Sequence, residues 1–516
     1  MNASRMLRDA ARRHGARPAI RAQDTLLTYA ELDARASRFA QALRGLGVKP
    51  GERVGILCRN LAAYPVALFG IARTGGVAVH LSVRYAPGEL DYVLGKVPLA
   101  AVVVDTGLGP LHELAKAKLP AGRLLTVGGG GDMDVDTLLA SATGDPADDD
   151  GAIDENGPSA ILFTSGTTGF PKGALQPTHG RYVSAVAAQH DFRLTQRDVI
   201  AVASPLYHAA TLYTWYHCAV LAGASAVLMP AWDPEAFMAD TTRLGITGAF
   251  AVPTQLAMLV RAPGFDAKRL ASLRIVVFGG AIADPDLIAQ VSAALPHVRF
   301  VQNYGQTETG PLFSQQPEDR ARNRAAIGRA NPHIEIALLR PDGTPAPQGE
   351  VGEIATRGAH VATGYFEDAQ ASAEFLKFGH DWAATGDLAV MDAEGQVTLV
   401  GRTKDTIISG AINIYPSEVE RVARAHPAVA DCAAFGVKDA VWGELPALAV
   451  VAKPGMALDP AEILALYDGT QIGRHKRPRA VHVVDALPYT PVGKLLRGEL
   501  RKRFPVLEAE NGPKTA

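Results

Sequence analysis

The sequence predicts an α/β protein with a large N-terminal domain and a small C-terminal α+β domain. The chain has 516 residues, which is more than one hydrophobic core usually serves. In its larger N-terminal part, amphipathic helical stretches alternate with short apolar runs, as in layered domains with parallel, buried strands. After residues 401–405 a shorter pattern of helices and strands starts again. We therefore expect domains at residues 1–402 and 403–507.

The layered α/β subdomains are predicted from individual segments. Residues 29–46 form an amphipathic helical pattern, whereas residues 101–104 and 274–278 are apolar runs typical of buried strands. Residues 129–157 are rich in Gly, Asp and Ala and are predicted to be a loop. Between residues 334 and 400, short strands are broken by turns, which predicts a small antiparallel sheet or a β-barrel-like subdomain.

The C-terminal domain is predicted from five segments. Helices are expected at residues 416–425 and 459–467, and strands near residues 432–437, 446–452 and 480–484. Residues 508–516 are polar, lack an apolar period and are expected to be a disordered tail.

One apolar segment, residues 209–229, has about the length of a membrane span. It contains Thr211, Thr214, His217 and Ser225, so we interpret it as a buried helix that leads into a strand at residues 226–229. No membrane span is therefore expected.

Composition excludes other classes of protein. The chain is 47% hydrophobic and 20% charged, with a net charge of -2, so it offers no basic field for nucleic acid. Its three cysteines are far apart and odd in number, which argues against a disulfide framework and favours a reducing compartment. The N-terminus lacks the apolar core of a secretory signal. We expect a cytoplasmic protein, and a homodimer is left open.

The most informative motif is the run Thr-Ser-Gly-Thr-Thr-Gly-Phe-Pro-Lys-Gly at residues 164–173, which follows an apolar strand pattern at residues 160–163. Glycine lets backbone N–H groups approach phosphate oxygens closely, so the run predicts a triphosphate cradle. A Walker A loop has adjacent Gly and Lys followed by Ser or Thr, whereas Pro171 precedes Lys172 and Gly173 follows it. The alternative is an ordinary surface turn. The predicted cradle residues are Thr164, Ser165, Gly166, Thr167, Thr168, Gly169 and Lys172.

Five further segments accompany this cradle. They are Tyr-Gly-Gln-Thr-Glu at residues 304–308, Trp-Ala-Ala-Thr-Gly-Asp at 382–387, Gly-Arg-Thr-Lys-Asp at 401–405, residues 409–420 around Asn-Ile-Tyr-Pro, and Pro-Tyr-Thr-Pro-Val-Gly-Lys at 488–494. In this order, over nearly the whole chain, they resemble the AMP-forming acyl-CoA synthetases, a superfamily that includes peptide-synthetase adenylation domains and luciferase. The resemblance implies a ligase that activates a carboxylic acid as an acyl-AMP with ATP and transfers the acyl group to coenzyme A.

The chemistry of adenylation explains why the resemblance assigns cations, hydrogen-bond donors and a metal-binding acid to the site. Negative charge gathers where a carboxylate attacks the α-phosphate of ATP, so cations and N–H donors are needed there. The resemblance implies that Lys172 contacts the β- and γ-phosphates, Thr307 binds the α-phosphate and Glu308 holds Mg²⁺. It also implies that Lys494 bridges the carboxylate and the α-phosphate. Asp387 and Arg402 would bind the ribose.

By the same resemblance, adenine would lie against a slot formed by Gly280, Ala281, Asn303, Tyr304 and Gly305. Several residues also have simpler interpretations. Glu308 could be an acid at a helix N-terminus, Asp387 a turn former, and Arg402 a member of a surface ion pair. The coincidence of all the segments favours the enzyme.

The resemblance also assigns residues to the acid and to coenzyme A. His208 would lie beside the reacting carboxylate, with a core histidine as the alternative, and Lys404 would be a hinge between the domains. The acyl pocket would include Tyr207, Ala209, Ala210, Thr214 and Val252, and coenzyme A would contact Ser409, Gly410, Ala411, Trp442, Arg474, Lys476 and Arg477. Relatives usually have Gly where this chain has Ala411, which predicts a slower thioester step. A plain basic patch is the alternative for residues 474–477.

Three segments are expected to line the acyl pocket, at residues 207–215, 252–258 and 304–312. They contain no Arg or Lys, so a dicarboxylic acid is disfavoured. A medium-chain fatty acid or an aryl acid of the benzoate or cinnamate type fits best. A ligase that loads a carrier-protein thiol and a nucleotide-binding protein without catalysis are the alternatives.

Overall fold

The structure is a computed structural model that describes residues 2–129, 133–142, 153–164, 171–281, 283–379, 381–410, 412–470, 472–489 and 495–505. The chain divides into two units. Unit 1 comprises Met1–Ile336 and Ala355–Thr385, and unit 2 comprises Ala337–Ile354 and Gly386–Ala516. The predicted tail at residues 508–516 lies outside the described residues. The domain boundary after residue 402 stays a prediction.

The helices alternate with strands through most of the chain. The α-helices are α1 (Ala3–His14), α2 (Tyr29–Gly45), α3 (Ala63–Arg73), α4 (Pro87–Lys96), α5 (Pro110–Lys118), α6 (Val135–Ser141), α7 (Thr178–Phe192), α8 (His217–Ala222), α9 (Pro234–Leu244), α10 (Pro253–Val260), α11 (Pro285–Ala294), α12 (Pro317–Arg322), α13 (Ala369–Phe375), α14 (Pro416–Arg424), α15 (Pro460–Ala465) and α16 (Arg497–Arg503). Short 3₁₀ turns lie at Thr106–Leu108, Ala267–Leu270, Thr403–Asp405, Leu466–Gly469 and Arg474–Lys476, and a π-helical segment lies at Ala210–Tyr216.

The strands of the described residues pair into three sheets. They are β1 (Pro18–Ala22), β2 (Thr25–Thr28), β3 (Arg53–Leu57), β4 (Val77–His80), β5 (Leu99–Asp105), β6 (Leu124–Val127), β7 (Met133–Asp134), β8 (Pro158–Thr164), β9 (Lys172–Pro177), β10 (Val199–Val202), β11 (Ser225–Leu228), β12 (Gly248–Ala251), β13 (Ile275–Gly279), β14 (Arg299–Gln306), β15 (Gly310–Gln315), β16 (Ala326–Ala330), β17 (Glu335–Leu339), β18 (Gly352–Arg357), β19 (Ala383–Met391), β20 (Val397–Arg402), β21 (Ile407–Ser409), β22 (Ile412–Ile414), β23 (Val429–Asp439), β24 (Gly443–Ala452) and β25 (Val481–Val483).

Unit 1 contains two largely parallel sheets. The first has the order β7-β6-β5-β3-β4-β8-β9, with β8 and β9 antiparallel. In the second, the order β16-β15-β14-β13-β12-β10-β11-β1-β2 is parallel from β14 to β1. All five residues of β13 are buried, as expected for a strand covered on both faces. The predicted α/β layers are confirmed.

Helix α2 shows how the sequence sets one of these elements. Thr28 accepts from the Glu31 backbone N–H at 3.2 Å and Glu31 accepts from the Thr28 N–H at 2.8 Å, which forms a capping box. Leu32, Phe39 and Leu43 are fully buried at helical spacing. The helix predicted over residues 29–46 is confirmed.

The segment predicted to be a buried helix followed by a strand is also confirmed. Residues 210–222 are helical, Gly223 ends the helix with φ 72°, and β11 follows. A Cβ on Gly223 would lie 2.2 Å from the His14 ring, so only glycine fits this turn. In the described part of the chain, no helix has the length and apolarity needed to cross a membrane. The three cysteines are buried and free, as expected.

Two structural expectations need correction. The predicted loop at residues 129–157 contains β7 and α6, because Asp134 caps a short helix through the N–H groups of Asp136 and Thr137. The strands predicted between residues 334 and 400 follow the open order β17-β18-β19-β20, and the described residues form no closed barrel.

In unit 2 the C-terminal part of the chain forms the predicted α+β arrangement. A sheet of order β22-β21-β24-β23, with β25 paired to β24, carries α14 and α15. Helix α14 buries Val419 and Ala423 beside strand residues such as Cys432 and Leu448. The positions predicted for these helices and strands agree with the structure to within a few residues.

Candidate active site

Predicted site residues follow the carboxyl ends of neighbouring parallel strands. His208 lies in the connection after β10, Val252 follows β12, Gly280 and Ala281 follow β13, and Asn303 lies near the end of β14. These four strands are adjacent and parallel. Loops after parallel strands meet at one edge of a sheet, which is the usual position of ligand sites in α/β proteins. The sheet therefore brings these distant residues to one edge.

The two glycines after β13 are required for different reasons. A Cβ on Gly279 would lie 2.1 Å from the Asn303 carbonyl oxygen, so close strand pairing excludes a side chain there. Gly280 has φ 79°, and its nearest neighbour to an added Cβ would be Val252 at 3.7 Å. Gly280 thus combines a glycine conformation with free space beside it, which fits a flat aromatic ligand.

The turn between β14 and β15 carries Thr307 and Glu308 and is fixed by several elements. Gln176 Nε2 donates to the Thr307 carbonyl oxygen at 3.2 Å, and the Ala362 N–H donates to the Glu308 carbonyl oxygen at 2.7 Å. Gln306 Nε2 donates to the Thr385 carbonyl oxygen at 2.8 Å. Because Glu308 lies in this turn, the interpretation as a helix N-terminal acid is wrong.

Three predicted phosphate and metal residues form one cluster in unit 1. Thr164 and Lys172 face each other at the ends of β8 and β9. Thr164 Oγ1 donates to Glu308 Oε1 at 3.4 Å. Lys172 Nζ lies 5.8 Å from the centre of the Tyr365 ring, and Tyr365 donates its hydroxyl to Glu308 Oε1 at 2.8 Å. A cation, a carboxylate and hydroxyl groups therefore converge here.

Sequence reasoning missed two members of this cluster. Tyr365 lies on a segment that pairs with β9 through hydrogen bonds of Leu175 with Gly364 and of Phe366 with Gly173. Asp368 Oδ2 lies 3.9 Å from Lys172 Nζ. Burial, followed by the nearby Glu308 carboxylate, raises the pKa of Tyr365 far above its ordinary value. The phenol therefore remains a hydrogen-bond donor.

Some predicted residues fall outside the described part of the chain. They are Ser165, Gly166, Thr167, Thr168, Gly169, Ala411 and Lys494. Their roles stay predictions.

His208 is placed by a buried asparagine that sequence reasoning missed. Asn60 Nδ2 donates to the Val202 and Ser204 carbonyl oxygens at 3.0 and 2.9 Å, and its Oδ1 accepts from the Leu206 N–H at 2.9 Å. These bonds shape the turn before His208. The His208 side chain is exposed, so the core-histidine interpretation is wrong.

The ring of His208 lies 4.6 Å from that of Tyr207. Desolvation by the surrounding protein, and to a lesser extent the Arg84 charge, lowers the pKa of His208. The ring therefore has many protein atoms around it and still has a solvent-exposed part, as expected for a side chain in a cleft. It is neutral at physiological pH.

The predicted acyl-pocket segment at residues 207–215 comprises most of the π-helical segment and the three residues before it. Tyr207, Ala209 and Thr214 are buried, and Ala210 and Val252 are half-buried. Tyr213 donates to or accepts from His80 Nε2 at 3.2 Å. The Arg181 guanidinium from α7 lies 5.2 Å from the Tyr213 ring. The segment itself lacks a cation, but the fold brings one beside it.

Asp387 and Arg402 belong to unit 2 and pair with each other. They are cross-strand partners on β19 and β20, and Arg402 Nε lies 2.8 Å from Asp387 Oδ1. Asp387 is on a strand and is only 4% exposed, so the turn-former interpretation is wrong. The ion-pair interpretation of Arg402 is confirmed, and its ribose contact stays a prediction.

Several residues predicted to bind coenzyme A also lie together in unit 2. The Gly410 N–H donates to the Trp442 carbonyl oxygen at 2.8 Å, and a Cβ on Gly410 would lie 2.6 Å from the Trp442 ring. Ser409 pairs with Gly443 between β21 and β24, and Trp442 is 54% exposed. An exposed indole therefore lies over the Ser409–Gly410 strand end.

The predicted basic run is partly engaged already. Lys476 Nζ lies 2.6 Å from Glu418, and Arg477 pairs with Asp468. Arg474 is exposed. Lys404, the predicted hinge residue, lines an open cleft of unit 2 of about 780 Å³ with Lys438 and Arg501.

The donor set near Glu308 fits Mg²⁺ bound together with a nucleotide. In the part of the chain that the structure describes, no three acidic, histidine or cysteine side chains group around a point. Mg²⁺ commonly takes one or two carboxylates and completes its ligands with phosphate oxygens and water. Glu308, with the Thr164 and Tyr365 hydroxyls beside it, offers that arrangement.

Comparisons with known proteins match most of the chain. The family model for AMP-binding enzymes matches residues 7–366, and the model for the C-terminal domain of AMP-binding enzymes matches residues 418–494. Together they include the segments at residues 164–173, 304–308 and 488–494, whereas residues 382–387, 401–405 and most of 409–420 lie between the two matches.

Similar proteins extend along almost the whole chain. A feruloyl-CoA synthase from an Amycolatopsis species is 38% identical over 490 residues, which are 94% of this chain and 96% of that protein. The indoleacetate–CoA ligase of Aromatoleum aromaticum is 34% identical over 487 residues, 94% of each chain. The crystal structure of ATP-bound MatB from Rhodopseudomonas palustris has a TM-score of 0.87 at 29% identity and covers 98% of this chain and 99% of its own.

Proposed function

This chain belongs to the AMP-binding enzyme family and is an AMP-forming acyl-CoA synthetase, and on that premise we propose that it joins an aryl acid of the cinnamate type to coenzyme A. In the first step, a carboxylate oxygen of the acid attacks the α-phosphorus of ATP. The bond to the β-phosphate breaks and pyrophosphate leaves. In the second step, the thiol sulfur of coenzyme A attacks the acyl carbonyl carbon, AMP leaves, and the thiol proton passes to solvent.

The observation that carries the proposal is the cluster of Thr164, Lys172, Glu308 and Tyr365. Lys172 is the proposed cation for the outer phosphates, and the Glu308 carboxylate would hold Mg²⁺, which would neutralise phosphate charge. Tyr365 orients Glu308. Lys494 is proposed as the second cation, which acts only in the first step.

The adenine of ATP is proposed to lie beside Gly280, where the backbone leaves room for a flat base. Thr307 follows in the adjacent turn and would donate its hydroxyl to the α-phosphate. Asp387 and Arg402 are proposed to bind the ribose hydroxyls. They now pair with each other, so both would then contact the ribose.

The choice of an aryl acid rests on the pocket residues and on similarity. Tyr207 and Tyr213 are proposed as aromatic walls of the pocket, and Ala209 and Ala210 as the small residues that leave room for the acid. A feruloyl-CoA synthase is 38% identical over most of the chain. A fatty acid of medium length is the alternative acid.

Coenzyme A is the proposed acceptor because exposed Trp442 and Arg474 suit its pantetheine arm and its phosphates. The alternative acceptor is a phosphopantetheinylated carrier protein.

A panel of acids tests the proposal. Cinnamate, ferulate, benzoate and octanoate are each assayed for acid-dependent pyrophosphate release, with coenzyme A or a loaded carrier protein as acceptor. We expect cinnamate-type acids to give the highest kcat/KM and thioester to form with coenzyme A. A preference for octanoate, or thioester formation on the carrier protein alone, would overturn the assignment of the acid or of the acceptor.

A further inference from the structure

Helix α7 carries a buried arginine without a carboxylate partner. Arg181 is 2% exposed, and its Nε and Nη1 atoms are buried without a hydrogen-bond partner. Among the described residues, no carboxylate forms an ion pair with it. Arg73, the other fully buried arginine, pairs with Asp33 and also bonds Ser37. An unpaired buried cation is costly, so Arg181 calls for an explanation that packing alone does not give.

Arg181 lies between two segments that adjoin Glu308. Its Nη2 donates to the His360 carbonyl oxygen. Two residues further on, the Ala362 N–H donates to the Glu308 carbonyl oxygen at 2.7 Å. On the other side, a Cβ on Gly310 would lie 3.8 Å from Arg181 Nη1. The guanidinium therefore bonds one backbone segment beside the Glu308 turn and lies close to the end of that turn at Gly310.

The preceding residue strengthens this attachment. A Cβ on Gly180 would lie 2.0 Å from the Ala359 carbonyl oxygen, so the first turn of α7 packs directly on the segment that precedes Ala362. That segment continues to Tyr365, whose hydroxyl binds Glu308 Oε1. The segment that Arg181 bonds at His360 therefore also supplies the partners of the Glu308 backbone and of its carboxylate.

We propose that Arg181 is a positioning residue for the metal-binding carboxylate of Glu308, an inference that rests on the proposed function. No substrate atom reaches the guanidinium, because its Nε and Nη1 atoms have no accessible surface. Arg181 acts through the segment from His360 to Ala362, which bonds the Glu308 backbone and so fixes the direction in which Glu308 points. Burial lowers the pKa of Arg181 to about 10, and the group keeps its charge at neutral pH.

The test measures metal preference rather than catalytic rate. Isothermal titration calorimetry gives the Kd of ATP with Mg²⁺ and with EDTA for the wild type, Arg181→Met, Arg181→Lys, Glu308→Gln and Arg73→Met. The quantity compared is the Kd of ATP in EDTA divided by the Kd of ATP with Mg²⁺. We expect Arg181→Met to reduce this ratio at least tenfold, as we also expect for Glu308→Gln, with the Kd in EDTA unchanged. Arg181→Lys keeps the charge without the planar donors and should reduce the ratio at least threefold.

Arg73→Met is the matched control for the loss of a buried guanidinium. It should lower the thermal midpoint and leave the ratio as in the wild type. A wild-type ratio in Arg181→Met would overturn the inference, and if that variant does not fold, a wild-type ratio in Arg181→Lys does so. A wild-type ratio in Glu308→Gln would instead overturn the metal role of Glu308, and absence of ATP binding by the wild type would overturn the proposed function itself.

Discussion

At the scale of single residues, Tyr365 links the predicted cation and carboxylate through its ring and its hydroxyl. It donates to Glu308 Oε1 at 2.8 Å while Lys172 faces its ring. In Tyr365→Phe the ring remains and the hydrogen bond is lost. A hydrogen bond to a charged group contributes about 1.5–3 kcal/mol, so we expect acid-dependent pyrophosphate exchange to slow roughly tenfold to a hundredfold.

Tyr29→Phe is the control for this prediction. It removes a buried hydroxyl that donates to the Ala224 carbonyl oxygen at 2.6 Å, away from Glu308. It should lower stability by about 1 kcal/mol and leave the exchange rate unchanged. Equal rates in Tyr365→Phe and Tyr29→Phe would contradict the role given to Tyr365.

His208 carries the pH dependence. Desolvation and, to a lesser extent, the Arg84 charge lower its pKa. In the folded protein the ring therefore stays neutral as the pH falls through 6.5. Its contribution to folding stability is present above pH 6.5 and is lost as the pH falls from there through the folded pKa. Arg84→Gln should raise this pKa toward its ordinary value. NMR titration of the histidine ring signals, assigned by the loss of one signal in His208→Gln, measures both. An unshifted His208 pKa of 6.5 in the wild type would contradict the prediction.

Residue-level prediction from sequence worked where a residue type is tied to one chemistry. Thr164 and Lys172 were predicted from the glycine-rich run and Glu308 from the family resemblance, and the fold brings the three together. Tyr365 and Arg181 have no such pattern. Tyr365 lies 57 residues from its partner Glu308, and only the pairing of its segment with β9 reveals the contact.

At the scale of elements, the β14–β15 hairpin holds Thr307 and Glu308 and tolerates no side chain at Gly305. A Cβ there would lie 2.1 Å from the Gly310 carbonyl oxygen, which belongs to the backbone and cannot turn away. Overpacking of this kind costs about 1–3 kcal/mol. We expect Gly305→Ala to lower the thermal midpoint and to weaken Mg²⁺-ATP binding.

Gly349→Ala separates this steric effect from backbone strain. Gly349 has φ 82° with no atom within 4 Å of an added Cβ, so the substitution costs only about 1–2 kcal/mol of conformational strain. It should leave nucleotide binding unchanged. Unaltered binding by Gly305→Ala as well would show that the hairpin is not a rigid support for Glu308.

Most elements were predictable because their local signals agree with their tertiary environment. The capping box of Thr28 and the apolar spacing of α2 both indicate the same helix. Helix α6 was missed because its seven residues lie within a Gly- and Asp-rich region that has few large apolar side chains. The π-helical form of residues 210–216 is set by packing of Tyr213 and Trp215 against other elements, which periodicity does not encode.

At the scale of the whole molecule, two lysines are proposed to act in adenylation, and neither is assigned to the thioester step. Lys172 belongs to the cluster in unit 1, and Lys494 is proposed to act only in adenylation. Lys494→Ala should lose acyl-adenylate formation and still convert a supplied acyl-adenylate to the thioester. Rapid-quench assays of each half-reaction measure this, and equal loss in both halves would refute the assigned role.

The six sequence segments were enough to predict the reaction class, because in their order they resemble one enzyme family. Their cations, hydroxyls and carboxylates also suit the phosphates, the metal ion and the ribose of ATP. It was not enough to predict the acid, since pocket shape depends on how α7 and the π-helical segment pack. The presence of Arg181 beside Tyr213 is the clearest instance.

The central claim is that this enzyme activates an aryl acid as its adenylate before it transfers the acyl group. Exchange of labelled pyrophosphate into ATP, with cinnamate or ferulate and without coenzyme A, tests it most directly. The account predicts exchange that requires the acid and falls at least a hundredfold in Lys172→Met. Exchange that is absent with every acid of the panel, or that proceeds without any acid, would contradict it.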